Sequence, residues 1–590
     1  MAGFIVASEA DGVEPLGGGP AEASTPFPAI WSDRPDPIMK PERQAGAAFV
    51  RLNQVGYFPE ATKVAIAMAD ADLTGQFRIE SMVDGEVVFS DNIGSDQGKW
   101  GAFSHHYRLD FSALRRPGHY RLYLPDGTAS TVFAISPTVY NGLAGLSLQF
   151  FKVQRSGDTD PAGHAPSHRQ DAPLSSDPNQ ARDVSGGWYD AGDYLKFTLT
   201  NAYVSLFQLL AYRDAAGAFQ KWDGDGTPLI LNEAQVGLDW LERMWDGQAE
   251  MLYVQVGSEA DHTQPWVRPE DDPLSGSTER PVYPAEAGKG ANLAGKTAAA
   301  FAVAAQIYGD EASPVYDQAR AARYRQLAEA IYAWGEARPA SQPSFPDYFY
   351  NETTWKDDMA LAAAELYRLT GQERYLEAAR RYAQEIGPAH WFSWEALNGL
   401  AQTELARIDP ENQARYLDFL RQDLASFQAS RQATPWGMVQ GDNLVWGSLY
   451  PALGAALEAY WYEELSGDTT YHELIQSQLD YAFGRNPWGI SFLIGAGANW
   501  PRHPHHRIAE LNLKPLGLEL TGAWVGGPVA PSVFNDQAIA LAGADEYARF
   551  QSDQAVYHDD VNDYVTNEPS GPLNATGLLL LAQLARPEAE

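Results

Sequence analysis

At about residue 137 the spacing of apolar residues changes, and this constrains the fold more than any other feature. Before that point, short runs alternate or are rich in β-branched residues: 49–54, 63–67, 76–81, 86–89, 105–110, 119–124 and 130–135. Gly and Pro punctuate them, as at Arg116-Pro117-Gly118 and Pro125-Asp126-Gly127. Regular short strands with turn signals predict a β-sandwich over residues 48–136. After it, 231–245, 294–308, 321–337, 357–370, 374–386, 394–408, 413–430 and 449–465 carry apolar residues at three-to-four spacing. Many helices in one unit over 137–590 predict paired helices arranged as a toroid. Residues 1–47 are rich in Gly, Pro, Ala and Asp with little period and read as a lead-in or linker.

Charge and composition remove several function classes. The formal net charge is −35, which repels phosphate backbones and argues against nucleic acid. With 0 Cys there are no disulfides, thiolate nucleophiles or Cys-based zinc sites. No apolar run reaches the ~18–20 residues that span a bilayer. No basic segment followed by an apolar stretch opens the chain, so a signal peptide is absent or has been removed. The 17 Trp and 29 Tyr suit either a large aromatic core or a cleft in which rings stack on sugars.

Three segments carry candidate chemistry. In Gly187-Trp188-Tyr189-Asp190-Ala191-Gly192-Asp193, two carboxylates three apart on a Gly turn can face one small volume. One would serve as base while the other holds the same water; a calcium loop or an N-cap would use the same residues. Glu568 lies between Tyr564 and Pro569. A partly dry aromatic setting would raise its pKa, as a general acid needs, although a helix-cap role is open. The third segment, Gly497 to Arg507, holds His503, His505 and His506. Consecutive His residues point apart and Arg507 disfavours a cation, so hydrogen bonding to sugar hydroxyls fits better than a metal.

Together these segments resemble family 9 glycoside hydrolases, the cellulase family. Gly497, Asn499, Pro504, His505 and Arg507 fit its histidine signature, and Tyr557, Asp559, Tyr564, Glu568, Ser570 and Asn574 its acidic one. Asp190–Asp193 matches its Asp-Ala-Gly-Asp motif, and 51–57 resembles the immunoglobulin-like module that precedes many of these enzymes. The resemblance implies an immunoglobulin-like sandwich followed by an (α/α)6 barrel. It implies a secreted, inverting hydrolase of β-1,4-glucan acting as a single chain, with Asp193 as base, Asp190 assisting and Glu568 as acid. His505, Arg507, His262, Trp266, Tyr350, Trp446, Trp188 and Tyr564 would bind sugar. A structural calcium is implied at Thr353, Asp357, Asp358 and Glu395; a helix N-terminus would also favour that acidic pair. The zinc site of relatives is expected to be lost, because its places hold Ser156, Ser167 and His168. Leu573 and Pro451 stand where relatives carry aromatic residues, which leaves exo-acting hydrolysis of short oligosaccharides as the rival reading. A non-catalytic carbohydrate-binding protein is the rival from another class. Retention of Asp190, Asp193 and Glu568 argues against it.

Overall fold

The computed structural model describes residues 48–219, 227–441 and 443–586. The lead-in read over 1–47 lies outside them.

Eight strands follow one another: β1 (Phe49–Arg51), β2 (Gly56–Tyr57), β3 (Val64–Ala69), β4 (Gln76–Ser81), β5 (Val87–Asn92), β6 (His105–Asp110), β7 (Gly118–Tyr123) and β8 (Phe133–Ile135). They form two sheets, in the orders β1-β3-β6 and β2-β8-β7-β4-β5. Alternation sets the faces: in β4, Phe77 and Ile79 point into the sandwich core while Gln76, Arg78 and Glu80 point out. β3 is buried along its whole length. Ala65, Ala67 and Ala69 belong to the sandwich core, whereas Val64, Ile66 and Met68 are equally buried outside it. The segment after β1 is tied to the helical part. Arg51 donates to the Pro487 carbonyl at 3.0 Å and Asn53 to Asp480 at 3.1 Å. Gln54 donates to the Gly489 carbonyl at 2.7 Å and accepts the backbone N–H groups of Ala498 and Asn499. The sandwich thereby braces the loop that runs on to His505.

The helical part comprises α1 (Leu143–Gln154), α2 (Thr198–Ala215), α3 (Leu229–Met244), the short α4 (Glu259–Thr263), α5 (Ala291–Gly309), α6 (Gln318–Glu336) and α7 (Lys356–Thr370). It continues with α8 (Glu373–Ile386), α9 (Asn398–Ile408), α10 (Gln413–Arg431), α11 (Leu449–Ser466), α12 (His472–Ala482), the short α13 (Pro531–Asn535) and α14 (Gly571–Leu584). Helices α2, α5, α7, α9, α11 and α14 each pack on the next, and α14 returns to α2, closing a ring. Helices α3, α6, α8, α10, α12 and α1 lie outside the ring, with α3, α6, α8 and α10 each packed against two neighbouring ring members. This is the (α/α)6 arrangement. Its sequence cause is visible in α5, where every residue from Ala291 to Ala305 is buried, because a ring helix has neighbours all round. Outer α8 buries one stripe only: Tyr375, Leu376, Ala378, Ala379, Tyr382 and Ala383.

Candidate active site

The functional side chains sit in loops that lead into ring helices. Asp190 and Asp193 precede α2, Tyr350 precedes α7, Trp394 precedes α9, Trp446 precedes α11 and Glu568 precedes α14. Cross-loop bonds draw these segments together. Tyr350 donates its hydroxyl to Asp190 at 2.6 Å. The Gly192 N–H donates to Glu568 at 2.9 Å, and the Gly571 N–H to the Asp190 carbonyl at 2.7 Å. Gly192 is required where it stands: a Cβ there would lie 2.5 Å from the His505 carbonyl oxygen and 2.9 Å from Glu568 Oε1.

The three carboxyls have separate environments. Burial pushes Asp193 up, but the hydrogen bond and charge of His262, together with Arg507, more than offset it and hold the group below its ordinary value. His262 Nδ1 lies 2.7 Å from Asp193 Oδ2, and this contact raises the imidazole's own pKa against the opposing effect of burial. Glu568 is pushed up to about 8, first by burial and then by the charge of Asp193. Asp190 rises to about 7, mainly by burial, against the Tyr350 hydroxyl. Near neutral pH the constellation therefore presents an ionised Asp193 beside a protonated Glu568. Carboxyls pushed apart in this way can serve, one as base and the other as acid.

Aromatic and polar side chains surround them. His505 is held neutral, its pKa lowered to about 4 by burial, and its Nδ1–H donates to the Val561 carbonyl at 2.7 Å. Its ring meets Trp266 edge-on at 5.0 Å and Tyr564 at 5.7 Å. Tyr564 in turn lies 5.7 Å from Trp446, which is 48% exposed. A second run goes from His262 to Phe349 at 5.1 Å and on to Tyr348 at 4.7 Å, which is 61% exposed. Arg507 is buried; it donates to the Asp261 and His262 carbonyls at 3.0 and 2.9 Å and so fixes the turn that carries His262.

One expectation needs correction. Trp188 is not a cleft residue. It is 2% exposed, packs on Phe151 and donates its indole N–H to Glu233 at 2.8 Å, so it belongs to the core beneath the Asp190 turn. At the implied calcium set a lysine ammonium already stands, while Asp357 Oδ1 and Asp358 Oδ2 are buried without a hydrogen-bond partner. Thr353 is exposed, and Asp357 accepts the Leu397 N–H at 2.8 Å. Asp358 instead holds the ammonium of Lys296 at 2.6 Å. Asp357, Asp358 and Glu395 do not bring three ligand atoms within 4.8 Å of one another. At the former zinc position, Ser167 and His168 Nδ1 both meet the Tyr189 hydroxyl at 2.6 Å, and His168 Nε2 meets Asp272 at 2.8 Å. Both ring nitrogens are thus engaged and the two serines lack thiolate character, so these residues do not fit zinc.

Tyr450 was missed by sequence reasoning. Its hydroxyl lies 2.6 Å from Ser570 Oγ, two residues past Glu568, and its environment includes Asp190 and Glu568. The signal was its position directly after Trp446-Gly447-Ser448-Leu449, beside the Pro451 that drew attention. Phe349 was also missed, although it adjoins Tyr350.

The His262–Asp193 contact makes a prediction. In His262→Ala, burial of Asp193 loses its main opposition, so the base titrates higher. The acid limb of the kcat/KM profile is expected to move to higher pH, and the alkaline limb to move a smaller distance the same way, because the charge of His262 also lowers Glu568. An unmoved acid limb would show that His262 does not set the base.

Comparison with known proteins shows the family. Residues 140–581 match the pattern of Glycosyl hydrolase family 9, and 45–129 match the Cellulase N-terminal ig-like domain. A xyloglucan-specific endo-beta-1,4-glucanase of Bacteroides ovatus is 28% identical over 578 residues, 91% of this chain and 93% of that protein. Endoglucanase A of Bacillus pumilus is 30% identical over 461 residues, 73% of this chain and 63% of that protein. The crystal structure of a metagenome-derived glycoside hydrolase family 9 endoglucanase aligns with a TM-score of 0.74 at 26% identity, covering 91% of this chain and 99% of that one. With three carboxyls poised for acid–base work on a helical ring, and an immunoglobulin-like domain in front, the chain belongs to glycosyl hydrolase family 9 and is a glycoside hydrolase.

Proposed function

We propose that the enzyme cleaves internal β-1,4-glucosidic bonds of glucan chains with inversion at the anomeric carbon. The observation that carries this reading is the pair of aromatic runs leaving the carboxyls, His505–Tyr564–Trp446 and His262–Phe349–Tyr348. Each ends in an exposed ring, and stacked rings hold a sugar chain without reading its ends.

In the mechanism, Asp193 takes a proton from water while that water attacks the anomeric carbon. Asp190, fixed by Tyr350, assists in holding the water. Glu568 donates its proton to the departing glycosidic oxygen. The attacking water needs room between base and acid, which in inverting enzymes stand about 6.5–9.5 Å apart. Neutral His505 offers hydrogen bonds to hydroxyls beside the cleavage point. No helix among the described residues is long and apolar enough to cross a membrane. Polymeric glucan does not cross bilayers, so we place the activity outside the cell.

One pair of measurements tests the reading. On carboxymethylcellulose, viscosity is expected to fall sharply while few reducing ends appear. On a soluble β-1,4-linked oligosaccharide, early NMR is expected to show the α-anomer. Steady release of glucose or cellobiose at constant viscosity would favour the exo rival, and β-anomer appearing first would exclude inversion. Because one relative is xyloglucan-specific, xyloglucan belongs in the same panel beside unbranched glucans.

A further inference from the structure

At the start of α7, where resemblance implies a calcium ion, the protein carries a charge of its own. Lys296 lies on α5, wholly buried, with its ammonium against Glu352 and 2.6 Å from Asp358. Neither carboxylate is exposed. Gly295 makes the approach possible: a Cβ at that position would lie 2.6 Å from both the carbonyl carbon and the Cβ of Asp358, so α5 can press directly on the first turn of α7. Asn292, one turn earlier on α5, donates to the other oxygen of Glu352 and to the Gln342 carbonyl, and accepts the Gln342 N–H at 2.8 Å.

The clamp reaches the active site along two short paths. Glu352 stands two residues after Tyr350, whose hydroxyl holds Asp190. Asp357, beside Asp358, takes the N–H of Leu397 and so fixes the loop carrying Trp394, whose ring meets Tyr350 edge-on at 4.8 Å. We infer that Lys296 is a built-in cation that takes the place of a divalent metal at the start of α7 and positions the Tyr350 and Trp394 loops against the catalytic carboxyls. A covalently attached ammonium cannot be removed by chelation and needs no metal in the surroundings. It also excludes a second cation by repulsion at short range.

Two arms test this. In the first, melting temperature is read with and without EDTA for the wild type, Asp358→Asn and the partly exposed Glu395→Gln. The EDTA-induced shift is expected to be the same in all three, and zero if no other metal is held. A chelator-induced fall in the wild type that either variant abolishes would place a metal in this cluster and overturn the inference. In the second, Lys296→Met is expected to melt several degrees lower and, assayed well below its melting point, to lose about tenfold in kcat. The same substitution in a Tyr350→Phe background is expected to cost much less in kcat, because the tyrosine through which Lys296 acts has lost its bond to Asp190. Equal losses in the two backgrounds, or wild-type stability and kcat in Lys296→Met, would overturn the positioning role. If Lys296→Met does not fold, the chelator arm stands alone.

Discussion

Glu568→Gln is expected to lower kcat on an unactivated β-glucan by roughly 10²–10⁴-fold while leaving the fold intact. The amide keeps the shape of the side chain and can still accept the Gly192 N–H, but it has no proton to deliver to the leaving oxygen. The loss should shrink on a substrate with an activated leaving group, which departs without protonation. Asp193→Asn should lose activity on both substrates, since no leaving group replaces the base that activates water. The pH profile adds a sign. Glu568 is held up to about 8 by burial and by the Asp193 charge, so the alkaline limb lies above neutrality. Any residual activity of Asp193→Asn should show that limb shifted down, because its negative neighbour is gone. Equal loss for Glu568→Gln on activated and unactivated substrates would remove Glu568 from the role of acid.

The parts legible in the sequence were those with a period or a motif. The interior helix read as 294–308 is α5, and the strands read at 76–81 and 105–110 match β4 and β6 to the residue. Boundaries failed where a distant residue sets them. Trp394 was read as opening a helix, but α9 begins at Asn398, because the buried Asp357 carboxylate takes the N–H of Leu397 and Ser393 takes that of Glu395. No window of local sequence contains that partner. β2, two residues long and paired parallel to β8, is too short to show a period. At the site, the Asp-Ala-Gly-Asp turn and the Glu568 segment were legible because their residue types are rare and closely spaced. Trp188 was misread for the same reason. It shares the turn with Asp190, yet its ring points down onto Phe151 and Glu233, a direction set by the Asn201 side chain accepting its backbone N–H. Lys296 gave no signal, because it lies in an Ala-rich helix and meets its partners 56 and 62 residues later.

Arg280→Met is expected to destabilise the protein by about 3–5 kcal/mol, the cost of leaving a buried charge without its partner. Arg280 is fully buried. Its guanidinium donates to both oxygens of Asp171, at 2.8 and 3.2 Å, and pairs with Asp261. Lys196 remains on Asp171 at 2.7 Å after the substitution, so the carboxylate that loses its close partner is Asp261, left with the more distant Arg507 at 3.7 Å. Burial already pushes Asp261 up to about 6 against the opposing charge of Arg280. Without that charge it should become protonated at neutral pH, and its side chain would be released from the anchor. The consequence reaches catalysis through one peptide bond, because His262 follows Asp261 and its ring faces Asp193. A shift of that ring would weaken the contact that keeps the base ionised, so the acid limb of kcat/KM should move to higher pH in the same direction as in His262→Ala. Arg507, which grips the carbonyls of Asp261 and His262, limits the movement, so the shift should be the smaller of the two. Thermal or urea unfolding reads the first effect and a pH–rate profile the second. Unchanged stability would show that the Arg280 charge is dispensable where it lies. A stability loss with an unmoved acid limb would confine Arg280 to the scaffold and break the link from the buried charges to the base.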